Sequence, residues 1–151
     1  MKNSLVLIVL TLVSGLIFAR ESIVKGIAPD FKNKSYTVYM VDEYLTMTQN
    51  KVAEKKTGEN GNFTVKFDVK KVKYVLFDFG KVERYMFIEP GKEYHVKIGN
   101  LSSELSESQS IYAKDEQPII ITNQDSTDLN ELILRVEGEI AQFSIDHGRE
   151  L

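Results

Sequence analysis

The sequence predicts an all-β body, an antiparallel sandwich of about seven strands, followed by a C-terminal amphipathic helix. Three observations lead there. Phe63, Val65, Phe67 and Val69 alternate with Thr64, Lys66 and Asp68, the period of a half-buried strand. Turn-forming residues punctuate the chain at short intervals from Ser22 to Ile98, with no helical period between them. After Asn123 the period changes, and Leu129, Leu132, Ile133, Val136, Ile140 and Phe143 recur every three or four residues.

The elements follow in chain order. Residues 1–19 read as a secretory signal, with Lys2 before an apolar run from Leu5 to Phe18 and Ala19 as the small residue before a cut at Ala19–Arg20. The run is 14 residues and contains Thr11, Ser14 and Gly15, short of the roughly 20 apolar residues a spanning helix needs. A membrane is therefore expected as a partner only during export. Ser22 to Ile27 is a first strand, stopped by Ala28-Pro29-Asp30. Ser35 to Val41 carries apolar residues on both faces. Thr46 to Thr48 and Lys51 to Thr57 are weaker strands around a break at Gln49-Asn50. Asn60-Gly61 favours a tight turn, which predicts that Lys51–Thr57 and Phe63–Val69 pair as a hairpin.

Tyr74 to Phe79 reads as a central strand ended by Gly80, and Tyr85 to Ile88 as the next. Pro90-Gly91 suits a type II turn, and Glu93 to Ile98 resumes alternation with Tyr94, Val96 and Ile98 on one face. Residues 20–100 thus form the sandwich domain. Residues 101–117 are rich in Ser and Glu and read as a polar loop or linker. Residues 118–151 hold a short β-former, Ile119 to Thr122, then the helix. Asp125 or Ser126 would cap that helix, Asp128 would sit in its first turn and Gly148 would stop it. Its apolar face from Leu129 to Phe143 calls for a cover: the sandwich, a protein partner, or a C-terminal region missing from this sequence.

Composition narrows the chemistry. The chain has no Cys, which excludes disulfides, thiol nucleophiles, thiolate metal sites and a lipid anchor at the cut. Residues 20–100 carry 15 basic and 11 acidic residues, and residues 101–151 carry 3 and 11, so an acidic tail region against a basic domain is one reading. Lys70, Lys71 and Lys73 are too few for a phosphate-binding stripe, so no nucleic-acid partner is expected. His95 and His147 stand apart in sequence, and no metal, nucleophile or phosphate-loop motif appears; no catalytic, metal or cofactor residue is assigned. Tyr36, Tyr39, Tyr44, Tyr85 and Tyr94 are candidates for an amphipathic surface that binds a glycan or peptide, or else for ordinary sheet packing.

Val24-Lys25-Gly26, Tyr36-Thr37-Val38-Tyr39, Gly61-Asn62-Phe63 and Phe87-Ile88-Glu89-Pro90-Gly91-Lys92-Glu93-Tyr94, taken together, resemble the small β-sandwich domains at the N-termini of exported Gram-negative proteins. One such group is the domain of unknown function that precedes thioredoxin-like domains in envelope disulfide reductases. The carboxypeptidase regulatory-like, or transthyretin-like, immunoglobulin-like sandwiches are broader relatives. Leu129-Asn130-Glu131-Leu132-Ile133 resembles exported bacterial proteins in which helices follow this sandwich. The resemblance implies a periplasmic, outer-membrane-associated or secreted protein with an accessory, non-catalytic role and no cofactor. The chain departs from that group in having no thioredoxin-like domain and no Cys.

Overall fold

A computed structural model of the chain describes residues 21–43, 45–99, 115–123 and 127–147. The signal at 1–19 with its Ala19–Arg20 cut, Tyr44, most of the 101–117 linker, the proposed caps Asp125 and Ser126, and Gly148 lie outside the described residues.

The described residues form two β-sheets and a C-terminal helix. The strands are β1 (Ser22–Ile27), β2 (Ser35–Glu43), β3 (Thr48–Lys56), β4 (Asn62–Phe67), β5 (Lys73–Asp78), β6 (Val82–Ile88), β7 (Glu93–Lys97), β8 (Asp115–Pro118) and β9 (Ile120–Ile121), and the helix is α1 (Leu129–His147). One sheet has the order β4-β1-β7-β9 and the other β3-β2-β5-β6-β8.

The alternation read from the sequence places one side of each sheet in a shared core. Val24 in β1, Phe63, Val65 and Phe67 in β4, and Tyr94 and Val96 in β7 are buried against Tyr36 and Val38 in β2, Val75 and Phe77 in β5, and Met86 and Ile88 in β6. Aromatic rings cross the gap: Phe63 lies 5.9 Å from Phe77 and 5.5 Å from Tyr36, and Phe67 lies 6.4 Å from Phe77, centre to centre. Tilted and edge-on contacts at this range are the favourable ones for ring quadrupoles. Gly26 is part of the fit. A Cβ there would lie 2.1 Å from the Phe63 ring and 2.7 Å from Val96, so the ring occupies space that any other residue at 26 would fill.

Several pairings differ from those the sequence predicts. The sheets are mixed: β1 runs parallel to β7, and β6 parallel to β8. The Asn60-Gly61 turn does not make a hairpin. β3 pairs with β2, and β4 pairs with β1 in the other sheet. Gly61 does adopt positive φ (80°) and its N–H donates to Gly58 O at 2.9 Å, closing the turn. However, Thr57 is buried, and its hydroxyl donates to Phe31 O and accepts from Lys34 N–H at 3.1 Å. Gly61 O accepts from Ala28 N–H at 2.9 Å. These bonds tie the turn to the β1–β2 connection and send the chain across to the opposite sheet.

The expected break at Gln49-Asn50 is also absent, because β3 is continuous there. One irregularity lies in the facing strand at Asp42, between the Val41–Gln49 and Glu43–Thr48 pairs, and the other is a bulge at Val52, which the register leaves unpaired between Ala53 and Lys51. This bulge, with Lys51, Lys55 and Lys56 exposed along β3, guards a long edge strand against pairing with other chains. Lys55 Nζ reaches the neighbouring edge and donates to Thr64 O of β4 at 3.0 Å. Asp115–Pro118, assigned to the polar linker by its composition, is a strand because β6 supplies backbone partners to an otherwise polar segment.

Replacing Gly26 by Ala is expected to destabilise the fold by about 1–3 kcal/mol through overpacking, read as a lower urea midpoint. A Gly26→Ala/Phe63→Leu double variant, which empties the space the new methyl needs, is expected to recover part of that loss.

Candidate interaction surface

Short strands leave sheet edges incomplete, and two asparagines finish them. β8 covers β6 from Val82 to Tyr85, and Ile119 N–H then donates to Tyr85 O at 2.8 Å. Beyond that point the Asn130 carboxamide takes over: Phe87 N–H donates to Asn130 Oδ1 at 2.7 Å, and Asn130 Nδ2 donates to Phe87 O at 2.9 Å. In the other sheet, β9 covers β7 at Val96 and Lys97. There the Asn123 carboxamide continues the edge, accepting from His95 N–H at 2.6 Å and donating to Glu93 O at 3.0 Å. A side-chain amide has one donor side and one acceptor side, as a peptide unit does, and so stands in for the missing strand.

Asn130 therefore fixes where α1 begins. Asp128, expected in the first turn, is the residue just before it. Its Oδ1 accepts from Asn130 N–H at 2.9 Å and its carbonyl accepts from Leu132 N–H at 3.0 Å, the pattern of a helix cap. Asp128 Oδ2 faces Lys92 Nζ at 3.5 Å, and Lys92 also bonds Glu89 Oε1 at 2.5 Å. The Glu89 carboxylate beside it raises the Lys92 ammonium above its ordinary pKa. Ile133 and Leu134 meet Tyr85, Phe87, Pro118 and Ile119 around a small gap of about 10 Å³.

From residue 135 to 146 the helix is exposed. Val136 is 50% and Ile140 60% accessible. At 3.6 residues per turn, Asn130 and Leu134 lie on a side next to the apolar stripe, whereas Ile133 lies on the stripe itself, in line with Ile140. The helix thus docks as expected only through its first turns, by a face that shares Ile133 with the stripe, and every residue from 135 to 146 is exposed.

The five tyrosines separate. Tyr36 and Tyr94 belong to the core and are not surface residues; alternation had placed them on a strand face but could not say which face is inward. Tyr44 lies outside the described residues. Tyr39 and Tyr85 share a row across Leu76 on the outer side of the five-stranded sheet. Tyr74 joins them, 5.4 Å from Tyr85 and 5.2 Å from Phe87 between ring centres. These rings are half-buried.

The outer side of the four-stranded sheet is different in kind. Lys25, Ile27, Asn62, Thr64, His95, Lys97 and Thr122 border a shallow trough of about 420 Å³. Glu93 Oε1 accepts from Lys25 Nζ at 2.7 Å and lies 2.8 Å from His95 Nε2, so one carboxylate ties β1 to β7. Those two bonds, with Lys25 the larger influence, lower the Glu93 carboxyl below its usual pKa. Among the described residues no three metal-ligating side chains gather, and no helix is long and apolar enough to cross a membrane.

No family model matches the chain, and no curated protein matches it.

Burial pushes the Tyr36 and Tyr94 hydroxyls up to about 12; at Tyr94 the Glu89 N–H, which donates to the phenolic oxygen at 2.9 Å, favours the phenolate and opposes that rise without cancelling it. Unfolding returns both to about 10, so the folded state favours their protonated forms. That stability is complete below about pH 10 and is lost as pH rises towards 12. A spectrophotometric titration is expected to show two tyrosines ionising late, together with loss of the sheet circular dichroism signal. Tyr94→Phe is expected to leave one late tyrosine.

Proposed function

We propose that this chain is a non-catalytic, exported interaction or scaffolding module of the bacterial cell envelope, built on a transthyretin-like sandwich. The single observation that carries the reading is the exposed Val136–Ile140 face of a helix whose start is firmly held. An amphipathic helix of this length is marginal in water unless its apolar face is covered, so a fixed helix presenting such a face is built for contact. The signal-like residues 1–19 and the resemblance of Val24 to Tyr94 to exported sandwich domains support the envelope location.

A photo-crosslinking residue in place of Ile140, in cells making the full chain, is expected to give a discrete adduct. Its absence, with the protein folded, contradicts the reading. Intact mass of the envelope or secreted fraction is expected to begin near Arg20, and a retained Met1 in cytosol contradicts the location.

A second reading, a glycan- or peptide-binding module, is favoured by the Tyr39–Leu76–Tyr85 row alone. On that reading Tyr39→Ala and Tyr85→Ala each weaken binding on a glycan or peptide array by about tenfold, as loss of a stacking ring does. An array with no binder at all disposes of it.

A further inference from the structure

We propose that the occupant of the four-stranded sheet's outer trough is α1 of a second copy of this chain. The inference rests on the interaction reading above and names its partner. Two surfaces of one chain complement each other. On the helix, Val136 and Ile140 are exposed and apolar, and the 3.6-residue repeat puts Glu137 on one side of them and Glu139 on the other. Such a ridge fits an apolar patch with basic side chains beside it.

The trough supplies both. Ile27 is 41% accessible on its floor, and the small polar residues Asn62, Thr64 and Thr122 keep it open. Lys25, His95 and Lys97 border it. The acidic residue of this face, Glu93, already has Lys25 and His95 on the same oxygen, so its charge is answered within the sheet. Lys97 has no ion pair among the described residues, which leaves it available to an incoming carboxylate.

The helix of the same copy is anchored elsewhere. Asn130, Ile133 and Leu134 hold it against β6 and Pro118–Ile119 at the edge of the other sheet, and none of the described residues bordering the trough belongs to α1. Two copies that exchange helices reciprocally satisfy both surfaces and close as a two-fold dimer. A one-way contact would leave a free helix and a free trough at each end and propagate.

The test is sedimentation of the full-length mature protein across a concentration series, with charge reversal on each surface separately. The wild type is expected to reach twice its monomer mass. Glu137→Lys/Glu139→Lys, and separately Lys97→Glu, are expected to raise the dimer Kd about tenfold or more, since each sets like charges together. Mixing these two variants one to one is expected to restore the dimer, because each reversed surface then meets its complement. Unchanged circular dichroism spectra establish that both variants fold. A wild type that stays monomeric, reversals without effect, or a mixture that stays monomeric each overturn the proposal. An Ile140 crosslink to a different protein also overturns it while leaving the interaction reading intact; no crosslink at all overturns both.

Discussion

The constraint on which this architecture depends is the need of every sheet-edge N–H and C=O for a partner. β8 and β9 are too short to cover β6 and β7, and only Ile119 separates them, although they belong to different sheets. The chain therefore stitches the two sheets together over a few residues and must finish both edges with something other than strand. Asn123 and Asn130 do so with paired hydrogen bonds to Glu93/His95 and to Phe87. Because Asn130 sits in the first turn of α1, completing an edge and aiming the helix are one event. The direction in which the helix presents its apolar stripe follows from a backbone requirement of β6.

Much of the fold was legible because burial imposes period two. β4 and β7 lie where the alternation of Phe63–Val69 and Glu93–Ile98 put them, β1 is the first strand expected over Ser22–Ile27, and the apolar run at Tyr74–Phe79 is the middle strand of the larger sheet. What alternation cannot carry is which strand lies beside which. Asn60-Gly61 and Pro90-Gly91 are real turns with positive φ at the glycines, yet both pass the chain from one sheet to the other. A turn residue specifies a change of direction; the sheet that receives the next strand is decided by distant contacts such as Thr57 with Phe31 and Ser22 with the Glu89–Gly91 turn. The parallel pairs β1–β7 and β6–β8 are consequences of those crossings.

The same limit governs the surface. Periodicity located the helix and its stripe, and the structure keeps both, but the docking face was set by Asn130, a polar residue beside the apolar pattern. Its signal in the sequence was no more than an asparagine one turn before Ile133 and Leu134. Tyrosine content raised a ligand surface, and burial divides that set into core rings, Tyr36 and Tyr94, and outer rings, Tyr39 and Tyr85. The charge asymmetry between the two parts of the chain reappears locally, as Glu137 and Glu139 beside the stripe and Lys25 and Lys97 around the trough.

Amide hydrogen exchange in an Asn130→Leu variant tests the central claim most directly. Leucine keeps the size of the side chain and removes both hydrogen bonds to Phe87, leaving that backbone unit unpaired at a cost of about 1–3 kcal/mol. The account predicts fast exchange at Phe87 and through residues 129–147, with the amides of Val75 and Phe77 in the central strand still protected. Protection of α1 and Phe87 equal to that of the unaltered protein would contradict it.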